Sequence, residues 1–184
     1  MKWIFAWIAL GSSALVAMDA EPVRLLDKPE ALPLALSDEF QFRKVLVFEN
    51  DGRSAVSGLG GSSGRSNRRK GLNSEQMIDF EAKYRNFGAV SSLDRKERQG
   101  QYFTFFWRVD RPANLKLRLE YRQERLGPYI QAREVDLGEV VGSGKTELTV
   151  LGDDYLWEGR VSSWRAVLIE DGRIVGLASS ALWN

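Results

Sequence analysis

The residues VGSGKTEL, from Val141 to Leu148, contain the Gly-Ser-Gly-Lys-Thr string that suggests a phosphate-binding loop. Such a loop has the form G-x-x-x-x-G-K-[ST], because backbone N–H groups between the glycines surround the phosphates and a helix follows the lysine. Counting back from Gly144, the first glycine would have to be residue 139, which is Glu139. The residues that follow alternate like a strand. The sequence therefore predicts a flexible Gly-Ser-Gly turn between two strands, and no nucleotide.

A second group of residues that could bind a ligand lies in GDDYLWEGR, from Gly152 to Arg160. Carboxylate oxygens are ligands of the type that Ca²⁺ prefers, and aromatic rings form platforms for sugar rings. The spacing does not match a calcium-binding EF-hand loop, so neither a metal nor a cofactor is predicted. In the alternative interpretation, the acids cap turns and the rings close one end of a β fold. The candidate ligand-binding residues are Asp153, Asp154, Tyr155, Trp157 and Glu158.

A third group is basic and lies in a Gly/Ser-rich stretch at 57–71, which is predicted to be a flexible loop. Clustered cations can bind anionic polymers through charge. No aromatic residue is interleaved to stack on bases, so nucleic acid is not an expected partner. The alternative is a solvated loop without a ligand. The cluster consists of Arg65, Arg68, Arg69 and Lys70.

The composition excludes several classes of enzyme. The chain has neither Cys nor His, which excludes disulfides, zinc–thiolate sites and the Ser-His-Asp and Cys-His hydrolases. Its 26 basic and 25 acidic residues give a net charge of +1, which does not favour a polyanionic partner overall. A hydrolase with two carboxylates remains open, but no spacing marks such a pair.

The N terminus has the pattern of a secretory signal peptide. Lys2 precedes the apolar run from Trp3 to Ala17, and small residues follow at the two candidate cleavage positions, Ala17 and Ala20. A retained membrane anchor is the alternative, although the run is shorter than a bilayer span requires. We therefore expect a secreted or periplasmic protein with a signal peptide at 1–20, an extended lead-in at 21–38 and one domain at 39–184.

Alternation of apolar and polar residues predicts an all-β domain of about eight strands. Arg111 to Asn114 is predicted to join two of them in a hairpin, and Asp171-Gly172 to join the last two. The expected architecture is an antiparallel β-sandwich of the immunoglobulin or fibronectin type III kind, with a jelly roll as the alternative. The predicted strands are 40–49, 78–85, 102–110, 115–122, 129–135, 146–151, 160–170 and 173–183.

These features predict a non-enzymatic structural or protein-interaction module of a bacterial envelope. The partner would be a protein or an envelope polysaccharide, and a membrane would be contacted only through an uncleaved leader. The alternative function is carbohydrate binding by the loop at 153–158. It would gain support if Tyr155 and Trp157 were exposed and coplanar, and it would fail if both pointed inward.

Overall fold

The computed structural model describes residues 23–52 and 80–183. The predicted leader at 1–20 and the predicted loop at 57–71 lie outside these ranges. Within these two ranges, six strands and two short helices have defined bounds, and residues 80–85 are also helical. The elements are β1 (Arg24–Leu26), β2 (Phe40–Asn50), α1 (Ser92–Glu97), β3 (Gly100–Gln123), β4 (Gln131–Leu151), α2 (Asp153–Glu158), β5 (Val161–Glu170) and β6 (Arg173–Ser179). The chain is mostly antiparallel β-sheet, as the all-β prediction requires.

Two long strands replace four of the predicted ones. β3 runs through the expected turn at Arg111 to Asn114, and β4 joins the predicted strands at 129–135 and 146–151. The predicted hairpin between 102–110 and 115–122 is therefore wrong. Its inward faces were assigned correctly, because Phe103, Phe105, Leu117 and Leu119 are all fully buried. Both halves of β3 contribute the same face of one strand to the core.

The β3–β4 ribbon bends near its middle. A strand of 24 residues would be about 80 Å long if straight, twice the diameter expected for a domain of this size. The pairing register shifts between Val109 and Ala113 and again between Leu115 and Lys116. Pro112 lies in the first interruption, where no ladder hydrogen bond is lost. Opposite these shifts, Gly138 and Gly142 have φ values of 64° and 83°, which favour glycine. The residues that suggested a turn therefore form a β-bulge.

The bend brings the two ends of β3 close together. The side chain of Gln101 near its start accepts a hydrogen bond from the backbone N–H of Val161, at 2.5 Å. Val161 is paired with Gln123 at the other end of the same strand. Within the folded sheet, the Trp164 ring packs edge-on against the Phe103 ring, and the two ring centroids are 6.0 Å apart. The core consequently lies between two halves of one sheet.

The strands form a single six-stranded sheet. The first half of β3 pairs with β2, and the second half pairs with β5 along the same edge, while β4 pairs with both halves on the other side. The sheet order is β1-β4-β3-β5-β6, with β2 beside β3.

The lead-in crosses the outer face of the sheet after β1. Residues 27–37, which we call the strap, run from the β4 edge to the β6 edge. Leu32 packs against Val167, Ile169 and Ile174, and Ile174 donates a backbone hydrogen bond to Pro33, at 2.9 Å. The strap therefore joins the two sides of the sheet.

The Gly-Ser-Gly-Lys-Thr string lies within β4, so the predicted turn is wrong. Gly144 is paired with Trp107, whose indole N–H donates to the Thr146 hydroxyl at 2.9 Å. A Cβ on Gly144 would lie 2.1 Å from the indole ring. The glycine is needed because the tryptophan lies across its backbone. An extended strand also differs from the loop and helix that a phosphate site requires.

Residues 80–85 are helical, so the strand predicted at 78–85 is wrong for its described part. Alternation placed four apolar residues on one face of a strand, but positions four apart also share a face of a helix. Glu81 and Arg85 form such an i,i+4 ion pair at 2.8 Å. Of the apolar residues, Ala82 is buried and Phe80 is 70% exposed.

The hairpin at Asp171-Gly172 is confirmed. β5 and β6 are paired antiparallel on either side of it, and both turn residues have positive φ, at 46° and 72°. These are the angles that a two-residue hairpin turn requires.

Replacing Gly144 by alanine is expected to lower the free energy of unfolding by about 1–3 kcal/mol, because the methyl group would overpack the Trp107 ring. The effect should be measured as a shift in the urea midpoint. Ser143→Ala, at an exposed neighbour, is the control. The cost of Gly144→Ala should shrink in a Trp107→Ala background. An unchanged cost in that background would show that the indole is not responsible.

Candidate functional site

The end of the molecule where both ends of β3 meet carries an exposed apolar surface. Residues 80–98 form this surface as a helical segment, a turn and α1. We call the exposed side chains the apolar end: Phe80 (70%), Tyr84 (66%), Phe87 (85%), Val90 (86%) and Leu93 (63%). Five large apolar side chains exposed within 14 residues exceed the scattered ones that are normal on a protein surface.

A capping box fixes the turn that carries Phe87 and Val90. The Ser91 hydroxyl accepts from the Asp94 backbone N–H at 3.0 Å, and the Asp94 carboxylate accepts from the Ser91 N–H at 2.9 Å. The hydrogen bond from the Ser91 N–H is the main cause that lowers the pKa of Asp94 below its usual value. α1 therefore begins at a defined residue, and the turn before it is short.

Polar side chains hold the underside of this segment. Asn50 and Asn86 exchange two amide hydrogen bonds, at 3.1 and 3.2 Å, and Asn50 also donates to the Arg98 carbonyl at 2.9 Å. The Arg98 guanidinium donates to the carbonyl of Phe87. Asn50 is 1% exposed, so these contacts form a buried connection between β2 and the turn.

Arg85 connects the helical segment to the sheet. Its guanidinium forms two hydrogen bonds to Glu147 on β4, at 2.6 and 2.7 Å, and lies 4.3 Å from the centroid of the Tyr102 ring. Burial alone would raise the pKa of Glu147. The contacts with Arg85, together with the Thr104 hydrogen bond and the charge of Lys145, outweigh burial and hold this pKa below its usual value.

In this segment, the usual placement of apolar and polar side chains is thus reversed. A surface helix normally turns its apolar face inward and its polar face to water. Here Arg85 and Asn86 face inward with partners, and Tyr84 and Phe87 face outward. An arrangement of this kind is suited to binding an apolar partner surface.

The predicted ligand residues at 153–158 form α2, at the same end of the sheet. The Arg133 guanidinium pairs with Asp154, and the Tyr155 hydroxyl donates to Glu49 at 2.7 Å. Burial and the Glu49 carboxylate raise the pKa of Tyr155. Asp153 is exposed.

Trp157 is 73% exposed, whereas Tyr155 is half-buried. Two positions along a helix differ by about 200° around its axis, so these rings project from different sides of α2. The structure does not bring them together as one coplanar platform. It leaves Trp157 as a single exposed ring.

Two buried oxygens near α2 have no hydrogen-bond partner among the residues that the structure describes. They are Oε2 of Glu158 and Oε1 of Gln123. The amide nitrogen of Gln123 donates to the carbonyls of Asp154 and Gly159, both at 2.8 Å, and so ties the helix to the end of β3. Within the described ranges, no group of three or more acidic side chains is placed to hold a metal ion.

The basic cluster of Arg65, Arg68, Arg69 and Lys70 lies outside the described residues. Its predicted role in binding an anionic partner stays a prediction.

A buried ion-pair network lies beneath the strap. Arg118 donates to Glu134 at 2.8 Å and to the Glu30 carbonyl of the strap at 3.1 Å, and Arg165 donates to Glu120 at 3.0 Å. The two carboxylates open into different shallow cavities, of about 350 and 370 Å³. The network fastens the strap to the sheet, and each acid is paired with a cation.

Sequence patterns did not identify the apolar end, although one signal was available. Phe80 and Tyr84 are four residues apart, as are Glu81 and Arg85. Read with a helical period, the same residues give an apolar face and an ion pair. Nothing in that pattern states which face is buried, because the burial depends on Glu147, far away in the sequence.

Comparison with known proteins finds no family model, curated protein or solved structure that matches this chain. None of the helices in residues 23–52 and 80–183 has the length and apolarity needed to cross a membrane.

Replacing Glu147 by glutamine is expected to lower the free energy of unfolding at neutral pH by about 1–2 kcal/mol, because Arg85 would keep its ion pair with Glu81 but lose the carboxylate that binds it through two hydrogen bonds. The folded-state pKa of Glu147 is below its unfolded value near 4.5, so the ion pair contributes fully above that pH. Its contribution is lost as the pH falls through the lowered folded-state pKa.

The difference between parent and variant should therefore vanish in acid. Urea unfolding across this pH range measures it, with Glu139→Gln at an exposed position of β4 as the control. A difference that persists at low pH would show that the ion pair is not its cause.

Proposed function

We propose that this chain is an exported, non-enzymatic β-sheet protein that acts as an interaction module of a bacterial envelope, with the apolar end as its interaction surface. The observation that supports it most directly is the reversed segment at 80–98. Phe87 and Val90 are 85% and 86% exposed, while the side chains beneath them are fixed by hydrogen bonds. Exposed apolar clusters of this kind commonly mark interaction sites.

Export and fold type are parts of the same proposal. The charged start, the apolar run and the small residues at 17–20 support a cleaved leader and a secreted or periplasmic location. An immunoglobulin- or fibronectin-like sandwich, or a jelly roll, stays a prediction. The two facing halves of the folded sheet are compatible with a sandwich core.

The proposal is testable by photo-crosslinking in a Gram-negative host that expresses the full chain. Benzoylphenylalanine at position 87 should give adducts with envelope components, because that side chain is 85% exposed at the apolar end. Position 34 is the matched control. Leu34 is also exposed, at 66%, but it belongs to the strap, where it is paired with Ile174.

Mass spectrometry of the same sample should show a chain that begins after Ala17 or Ala20. Equal adduct yields at positions 87 and 34 would contradict the proposal that the apolar end is the interaction surface. An uncleaved cytoplasmic chain would contradict export.

Carbohydrate binding at α2 is the second candidate function, and the exposure of Trp157 favours it. A single exposed indole is sufficient to stack on a sugar ring, and Arg125 lies next to it, bonded to the Trp157 carbonyl at 2.8 Å. Tyr155 would not share in the stacking.

Tryptophan fluorescence of the chain that starts at Glu21 tests this second function. Trp157→Phe should remove most of the emission that acrylamide quenches, because the other three tryptophans are shielded. Trp107 is buried, Trp164 packs against the core, and the Arg122 guanidinium lies 4.3 Å from the centroid of the Trp183 ring. Trp183→Phe is the control. Protection of Trp157 by one polysaccharide from a panel would support carbohydrate binding. Unchanged quenching with every polysaccharide would reject it.

A further inference from the structure

The apolar end has exposed basic side chains around it. Two of the three acids in residues 80–98 are engaged locally, since Glu81 pairs with Arg85 and Asp94 caps α1. Of the three, only Glu97 is exposed, while Glu81 and Asp94 are half-buried. The exposed basic side chains of the same segment are Lys83, Arg95 and Lys96. Residues 80–98 hold five basic and three acidic side chains, so this segment combines projecting apolar side chains with a net positive charge.

The shape of the apolar end differs from that of a pocket or groove. Phe87 and Val90 lie on the turn between two short helices and are more than four-fifths exposed, so they project from the surface. Between proteins, hot-spot side chains fill well-packed pockets near the centre of the interface, and Trp, Tyr and Arg are the enriched types. Projecting aromatic and aliphatic side chains flanked by Lys and Arg are typical of segments that lie at a bilayer interface.

We propose that the apolar end docks on the surface of an anionic bilayer. Phe87 and Val90 enter the boundary between headgroups and acyl chains, and Lys83, Arg95 and Lys96 face the lipid phosphates. This inference rests on the proposed function and specifies the partner of the same surface. It differs from the expectation that only an uncleaved leader would contact a membrane.

The contacts beneath the turn explain how docking is compatible with the fold. The Asn50–Asn86 amide pair and the Arg98 contact with Phe87 bind the backbone of the turn, not its apolar side chains. Insertion of those side chains therefore breaks no described hydrogen bond. A preformed surface also avoids the entropic cost of ordering a segment on binding.

Sedimentation with lipid vesicles tests the inference. The chain from Glu21 to Asn184 contains every described residue and lacks the predicted leader. It should sediment with vesicles of equal parts phosphatidylglycerol and phosphatidylcholine, and much less with phosphatidylcholine alone. Added salt should weaken the binding, because screening reduces the attraction between the basic side chains and the headgroups.

Two double variants distinguish vesicle binding through the apolar end from nonspecific binding by exposed apolar side chains elsewhere. Phe87→Ser with Val90→Ser should reduce partitioning by about tenfold or more, because two apolar side chains no longer leave water. Leu34→Ser with Leu36→Ser is the matched control, since those residues are 66% and 59% exposed on the strap, and it should bind like the parent. Circular dichroism and the urea midpoint verify that each variant is folded.

A spectroscopic signal reports insertion directly. In a Trp157→Phe background, Phe87→Trp should shift its emission to the blue on adding the anionic vesicles. Two results would overturn the inference: no sedimentation of the parent chain, or equal binding by the Phe87/Val90 variant. If the parent fails to bind vesicles but position 87 crosslinks to a protein, bilayer docking is rejected and the interaction module remains.

Discussion

The fold depends on the bend in the β3–β4 ribbon. Without it, Phe103 and Leu119 would lie on the same face of a straight ribbon and leave that face in water. With it, the two halves of the sheet bury this face against each other, and Trp164 contacts both Phe103 and Phe105. The hydrogen bond between Gln101 and Val161 then joins segments 60 residues apart. The position of α2, and the closeness of the strand ends at the apolar end, follow from this one deformation.

The sequence patterns predicted which side chains of a strand face the core better than they predicted where one strand ends and the next begins. The alternation at Phe103 to Val109 and at Leu115 to Tyr121 identified the inward side chains correctly, because burial sets that period. Arg111-Pro112 and Gly142-Ser143-Gly144 were interpreted as turns, but glycine and proline mark bulges as well as chain reversals. The choice between them depends on pairing with another strand, which no local pattern contains. Asp171-Gly172 was predicted correctly because its turn is fully local.

The candidate site was less predictable than the fold. The acidic and aromatic residues at 153–158 were predicted to bind a ligand because of their residue types, but a helix distributes these side chains around its axis. The apolar end has no unusual residue types. It is identified by exposure, and exposure follows from Arg85 reaching Glu147 and from Asn86 reaching Asn50, contacts that span 62 and 36 residues. Long-range polar contacts reversed the segment, so a hydrophobicity pattern alone would place its rings in the core.

The two glycines at the bend of β4 also affect how the protein behaves in a crowded solution. Among the described residues, β1 covers only the first part of the outer edge of β4. A long, regular edge is a template for sheet growth between molecules. Gly138 and Gly142 interrupt that regularity, and the Asp136 carboxylate already accepts from the Gly138 N–H at 2.8 Å. The distortion that lets the sheet fold upon itself therefore also makes this edge a poorer template for a strand from another copy.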